Sequence, residues 1–375
     1  MSDSGVAARR LAIDALERID RDGAYANLLL PQLLTESDLD ERDRGFVTEL
    51  VYGSTRMRRA LDHVIARHLM RDDVEPRVRA ALRIGAYQLL FLRTPAHAAV
   101  DATVGATPKR ARGFVNAVLR KVGRDSAEIN WPNDGIRLSY PTWMLTLLTE
   151  DLGERAVPVL AAMNEAAVVH TRADGYRQDL ASQEVAALVT SANGDLVIDL
   201  CAAPGGKSTH IAGRGATVVG VDLHEHRAGL IAQAAADTAS SVLPMTADST
   251  NPPLRPGSAD AVLVDAPCSG LGSLRRRPDA RWRIEASDVG ALAELQFALV
   301  RSATTLVRPG GQVVFSVCTL TDAESLGVDQ RIESELPELV PEPLSAPWEP
   351  HGRGGRLLPD RFAGDGMTAF SYRRT

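Results

Sequence analysis

The sequence is poor in cysteine, has no long uncharged run and shows no surplus of positive charge, and each shortage removes a class of protein. Three cysteines in 375 residues, an odd number set far apart, cannot build a disulfide framework. None stands in the C-x-x-C pair of a zinc site, so no metal is expected. This usage suits a reducing compartment, and a cytoplasmic protein is expected. No uncharged stretch approaches membrane-spanning length, so no membrane partner is expected either. The N-terminal MSDSGVAARRLAIDALERI spaces Ala8, Leu11, Ala12, Ala15, Leu16 and Ile19 as a helix does, not as a signal-peptide core. A formal net charge of -6 argues against a surface that grips nucleic acid everywhere, although local basic patches can still bind phosphate.

What is present divides the chain in two. At 375 residues it exceeds the size at which single cores stop growing, so more than one domain is expected. From residue 5 to about 125 apolar residues recur at three- and four-residue steps, with breaks at Asp22-Gly23, Pro76 and Pro95, which predicts a small all-α bundle. Arg56, Arg58, Arg59, Arg67, Lys109, Arg110, Arg112, Arg120 and Lys121 scatter positive charge over it, as a solvated surface or as a nucleic-acid contact. A connector at 124–136 rich in Asp, Asn and Pro follows. From Asp195 onward LVIDL, ATVVGVDL, AVLVDAP and QVVFSVC alternate with helical stretches, which predicts a mostly parallel sheet with helices on both faces.

LVIDLCAAPGGKSTHIA reads as strand, glycine turn and helix. Glycine at 205 and 206 lets the backbone approach a ligand closely. The GGKST run fails as a phosphate loop, because G-x-x-x-x-G-K-S needs glycine where Cys201 stands, and the full G-x-G-x-x-G pattern is absent too. Asp222 ends the next strand 17 residues after Gly205, placed to accept hydrogen bonds from ribose hydroxyls. Asp248 is a candidate for an adenine amino group, and Asp265 ends a further strand. An adenosine ligand without a phosphate loop points to S-adenosylmethionine.

Cys268 and Cys318 follow the strand-like runs ADAVLVDAP and GQVVFSV. Ligands of open α/β sheets bind at the carboxyl ends of strands, so both thiols are predicted to face one crevice. Two potential thiolates beside one cofactor site are a pairing that few chemistries need. Spacing alone does not say which thiol attacks. The run Arg275, Arg276, Arg277, Arg281, Trp282, Arg283 follows the first cysteine, and beside a nucleotide site its guanidinium groups are expected to bind phosphate.

The N-terminal motifs ERDRGFVTELVYGSTRMRRALDHVI, IGAYQLLFL, PAHAAVDATV and FVNAVLRKV resemble the helical NusB-like RNA-binding domain. DLCAAPGGKS, VDAPCSGLGSLRRRPDARWR, LAELQFAL, VRPGGQVVFSVCTLTDAE and GRLLPD with GDGM resemble the RNA 5-methylcytosine methyltransferase family. The combination is similar to bacterial 16S rRNA (cytosine-C5)-methyltransferases of the RsmB or Sun type. The resemblance implies Cys318 of the VCT motif as nucleophile, Cys268 of PCSG for release and Asp265 near cytosine N3. It implies a cofactor loop of Cys201, Ala202, Ala203, Pro204, Gly205, Gly206 and Lys207, with Asp222 on the ribose, Asp248 by the adenine and Asp265 bordering the cofactor. The sequence departs from the family in having VCT for TCS, no asparagine in DAESLG and TRAD at 171–174 where the family has R-x-N.

The expected organisation is a NusB-like helical RNA-binding domain at 1–128, a linker and small α+β substrate-facing subdomain at 129–190, and a Rossmann-like methyltransferase domain at 191–375. The expected partner is RNA, 16S rRNA by resemblance, bound by a monomer. A ribosome assembly factor that binds RNA without turnover, or a methyltransferase acting on tRNA, are the competing readings.

Overall fold

A computed structural model describes residues 3–71, 73–92, 94–126 and 129–375, so residues 127 and 128 of the connector lie outside the described residues. The chain forms two compact units, one of residues 1–146 with 276–283, the other of 147–275 with 284–375.

The first unit holds α1 (Asp3–Asp22), α2 (Ala26–Thr35), α3 (Glu41–Arg56), α4 (Arg58–Ala66), α5 (Pro76–Leu90), α6 (Ala96–Ala106), α7 (Arg112–Asp125) and α8 (Asp134–Arg137). Sequence punctuation sets their limits. α1 stops at Asp22, α5 starts at Pro76, and Pro95 directly precedes α6. At the start of α3 the Asp40 side chain accepts from the Asp43 amide at 2.8 Å, satisfying an N–H the helix leaves unpaired. The stripe Ala8, Ala12, Ala15 and Leu16 of α1 is fully buried against a core that includes Leu50, Val51, Leu82 and Ile84.

The second unit follows α9 (Thr142–Leu152) with α10 (Ala156–Ala162), α11 (Leu180–Leu188), β1 (Leu196–Asp199), α12 (Gly206–Ala212), β2 (Thr217–Asp222), α13 (Glu225–Asp237), β3 (Val242–Thr246), β4 (Ala259–Asp265), α14 (Ala286–Leu306), β5 (Val307–Val317), α15 (Leu326–Glu335), β6 (Leu339–Glu342), β7 (Glu349–His351), β8 (Gly354–Leu357) and β9 (Met367–Arg374). Strand order is β3-β2-β1-β4-β5-β9-β8-β7, with β6 also paired to β9. The first five strands are parallel, as their continuous apolar runs predict, and β6 to β9 extend the sheet in antiparallel fashion. One face packs a core of Val264, Phe297, Val300, Phe315 and Phe370, the other a core of Val185, Ile211, Val218, Ile231 and Val314. Helices therefore cover both faces, and strand order reverses between β1 and β4, where an α/β sheet opens its ligand crevice.

Candidate active site

The carboxyl ends of β1, β2, β4 and β5 share one edge of the sheet, in register through Asp199 opposite Gly220 and Leu263, and Asp265 opposite Ser316. After β1 the chain turns sharply through Gly205 at φ 107°, a backbone that other residues rarely adopt. A Cβ there would lie 2.8 Å from Ala234 Cβ on α13, so glycine also permits the close packing of the loop on that helix. Asp199, absent from the sequence-based candidates, clasps both ends of the loop. Its carboxylate accepts from the Cys201 amide at 3.4 Å and from Ser208 Oγ at 2.6 Å. Burial pushes its carboxyl up to about 6 in spite of the Ser208 hydrogen bond. Cys201 packs against the apolar core, and burial raises its thiol well above the usual range, which suits a structural side chain.

Lys207 points from α12 to β4, where its Nζ donates to Asp265 Oδ2 at 2.7 Å and to Ser182 Oγ at 3.3 Å. Asp265 Oδ1 accepts from Ser316 Oγ at 2.8 Å. Burial pulls the Lys207 ammonium down, but the charge and hydrogen bond of Asp265, helped by Cys318 and Asp199, leave it above its ordinary value. Asp222 is buried, accepting from the His224 amide at 3.1 Å and Arg227 Nε at 2.9 Å. Asp248 is exposed and uses Oδ1 for the amide and hydroxyl of Thr250. Leu223, next to Asp222, leaves 60% of its surface open. The polar groups around the loop are mainly carboxylates, and its one ammonium is engaged by Asp265. Such a set fits a ligand rich in O–H and N–H donors and positive at its reactive centre, as S-adenosylmethionine is, and suits a phosphate poorly.

Cys268 Sγ and Cys318 Sγ are 3.3 Å apart and both half-buried, so the two thiols do share one crevice. The loops that carry them are knit together. Gly272 N donates to Cys318 O at 3.0 Å, and Ser269 Oγ and Thr319 Oγ1 lie 2.8 Å apart. A fully buried carboxylate, Glu324, lies beside both loops and was not singled out in the sequence, where it reads as one of several charges in a polar stretch. The Cys268 thiol is held well above its ordinary value, first by its hydrogen bond to Cys318, then by burial and by the charges of Cys318, Glu324 and Asp265. These causes keep Cys268 in its thiol form.

The arginine run is a correction to the sequence reading, because most of it is structural. Arg275 donates to the carbonyls of Ala162 at 2.9 Å and Pro359 at 2.8 Å within the sheet unit. Residues Arg276–Arg283 belong to the helical unit. There Arg281, fully buried, donates to the carbonyls of Arg56 and Ser139 at 3.0 Å each and lies 3.6 Å over the Tyr140 ring. Burial lowers its guanidinium to about 10, still charged at neutral pH. Trp282 Nε1 donates to Thr55 O at 2.7 Å, and Arg283 pairs with buried Asp279 and covers Tyr25. Backbone carbonyls and rings, not phosphates, satisfy these side chains. Arg172 of TRAD is likewise internal, donating to Gly206 O at 2.6 Å and stacking on Tyr176. Of the scattered charges on the helices, Arg56 is buried and Arg59 bonds Thr142, whereas Arg67, Lys109, Arg110, Arg120 and Lys121 are exposed.

No group of three His, Cys, Asp or Glu among the described residues could hold a metal ion, and no helix among them is long and apolar enough to cross a membrane.

The family described as 16S rRNA methyltransferase RsmB/F matches residues 186–369, and the NusB family matches residues 6–124. The chain is 37% identical to a protein of Mycobacterium tuberculosis named as a methyltransferase, Rv1407, over 98% of this chain and 96% of that one. It is 35% identical to the ribosomal RNA small subunit methyltransferase B of Thermus thermophilus, over 98% and 97% of the two chains. The crystal structure of PH0851 has the same fold, with a TM-score of 0.78 at 20% identity, covering 100% of this chain and 99% of that one.

Proposed function

The chain belongs to the RsmB/F family of 16S rRNA methyltransferases, and from that membership we propose that it methylates carbon 5 of a cytosine in 16S rRNA through a covalent bond between Cys318 and carbon 6. It is an S-adenosylmethionine-dependent RNA methyltransferase, and the bound cofactor supplies an electrophilic methyl group on a sulfonium. The observation that carries the finer reading is the 3.3 Å pair of thiols beside the Lys207–Asp265 ion pair. A single nucleophile would account for one cysteine, and a binding protein for neither.

The side chains divide the work as follows. The Cys318 thiolate adds to carbon 6, and the charge that develops at N3 is offset by a proton passed from the Lys207–Asp265 pair, with Asp265 near N3 and held by Lys207 and Ser316. Carbon 5, now enamine-like, takes the methyl group. Transfer of the carbon 5 proton to water then expels the Cys318 thiolate, the N3 proton returns to the Lys207–Asp265 pair, and the aromatic ring is restored. Cys268, which keeps its proton beside Cys318, is placed to give that proton to the departing sulfur. Asp222 and Asp248 accept from the nucleoside part of the cofactor, and residues Cys201 to Lys207 line it. The target base must be unstacked to reach the thiols.

Tritiated methyl transfer to 16S rRNA lacking the modification tests this reading. Cys318→Ala should abolish incorporation, while Cys268→Ala should accumulate a protein–RNA adduct stable on a denaturing gel. Bisulfite sequencing of the methylated RNA should report a single protected cytosine. Full activity in Cys318→Ala, or a methyl group at another base, sinks the proposal.

A further inference from the structure

We infer that Glu324 is a positioning residue for the reaction, a buried carboxylate that sets the geometry of the two thiols by binding the residue after each cysteine. This rests on the two-thiol reading above. Oε1 accepts from the Ser269 amide at 2.8 Å and from Gln296 Nε2 at 3.1 Å. Oε2 accepts from Ser269 Oγ at 2.6 Å, Thr321 Oγ1 at 2.9 Å and Thr319 Oγ1 at 3.3 Å. Gln296 also donates to Pro267 O at 2.9 Å. Cys268 is therefore held on both sides, through Pro267 and Ser269, and Cys318 through Thr319. Ser269, Thr319, Thr321 and Glu324 are all fully buried or nearly so, which shields these bonds from water.

The carboxylate accepts from five donors away from solvent, and charge-assisted hydrogen bonds are the strong ones. A neutral side chain in its place would hold the loops less firmly. The negative charge also acts at Cys268, where it is among the causes that keep the thiol protonated. Its two bonds to Ser269, at 2.6 and 2.8 Å, are shorter than those to Thr321 and Thr319, at 2.9 and 3.3 Å, and Gln296 ties it to Pro267 as well, so its loss falls chiefly on release of the methylated product.

The test uses the full chain with unmodified 16S rRNA and S-adenosylmethionine, comparing wild type, Cys268→Ala, Glu324→Gln and Ser269→Ala. Glu324→Gln should lower kcat by about 10- to 100-fold, the scale of small misplacements at an active site, with KM for RNA little changed and with an adduct that accumulates. Ser269→Ala, which removes one bond and leaves the carboxylate, should show the same pattern more weakly and keeps the question answerable if Glu324→Gln fails to fold. Wild-type kcat in Glu324→Gln, or lowered activity without adduct in both variants while Cys268→Ala accumulates it, overturns the role of Glu324. Absence of adduct in Cys268→Ala itself overturns the two-thiol reading instead.

Discussion

His351 supports the Glu324 region from below the chemistry. Its Nε2 lies 3.3 Å from Ser325 Oγ, which in turn donates to Thr321 O at 2.7 Å. Burial first, and then the charge of Arg356, lower its imidazole from an ordinary 6.5 to about 4, against a smaller pull from Asp329. Asp322 Oδ1 stands 3.5 Å from the same nitrogen, too far for a good hydrogen bond, and burial raises its own carboxyl. The folded state thus holds the ring neutral where the unfolded chain would bind a proton. Its contribution is present above pH 6.5 and is lost as pH falls toward 4, by about 2 kcal/mol allowing for the ring's partial solvent contact. Urea unfolding near pH 7.5 and near pH 5 should show this loss in wild type and a flatter dependence in His351→Gln. Residues of this kind are hard to read in sequence. Cys268, Cys318 and Asp265 were legible because they close strand-like runs, and Lys207 through the resemblance of its loop to the family's, whereas Glu324, Gln296 and Asp199 acquire their meaning only from the partners that the fold brings to them.

Among the elements, β1, β2, β4 and β5 were legible because buried parallel strands are written as uninterrupted apolar runs. β3 was not, since Val242–Thr246 is an edge strand with Pro244 and exposed Leu243. β6 contains Pro341, and β7 and β8 are three and four residues long, with Gly354 and Gly355 in the latter. Such segments become strands through their neighbours, above all the deeply buried β9. The turn between β1 and α12 is the element where local sequence and site geometry coincide. Gly205→Ala should cost about 1–3 kcal/mol from strain at positive φ, with further loss from the 2.8 Å approach to Ala234. Calorimetric titration with S-adenosylmethionine should show weakened binding, and unchanged affinity with unchanged stability would refute the role given to this turn.

In the molecule as a whole, the segment Arg276–Arg283 makes the helical unit discontinuous in sequence. Periodicity finds helices in contiguous stretches, so a strap that returns only after β1 to β4 have been encoded leaves no mark in the pattern. Its arginines advertised phosphate binding, but Arg281 and Trp282 are spent on Arg56, Ser139 and Thr55 carbonyls. A fragment of residues 1–146 should therefore melt lower than the same fragment supplied with a peptide of residues 276–283, by ~5 °C or more. Equal melting with and without the peptide would show the strap to be dispensable. During synthesis the same arrangement imposes an order of events. The helices leave the ribosome first, yet the carbonyls of Arg56 and Ser139 wait for an arginine that emerges only after β4 and both loop glycines 270 and 272. The earliest part of this chain to be made cannot be the earliest part to be finished.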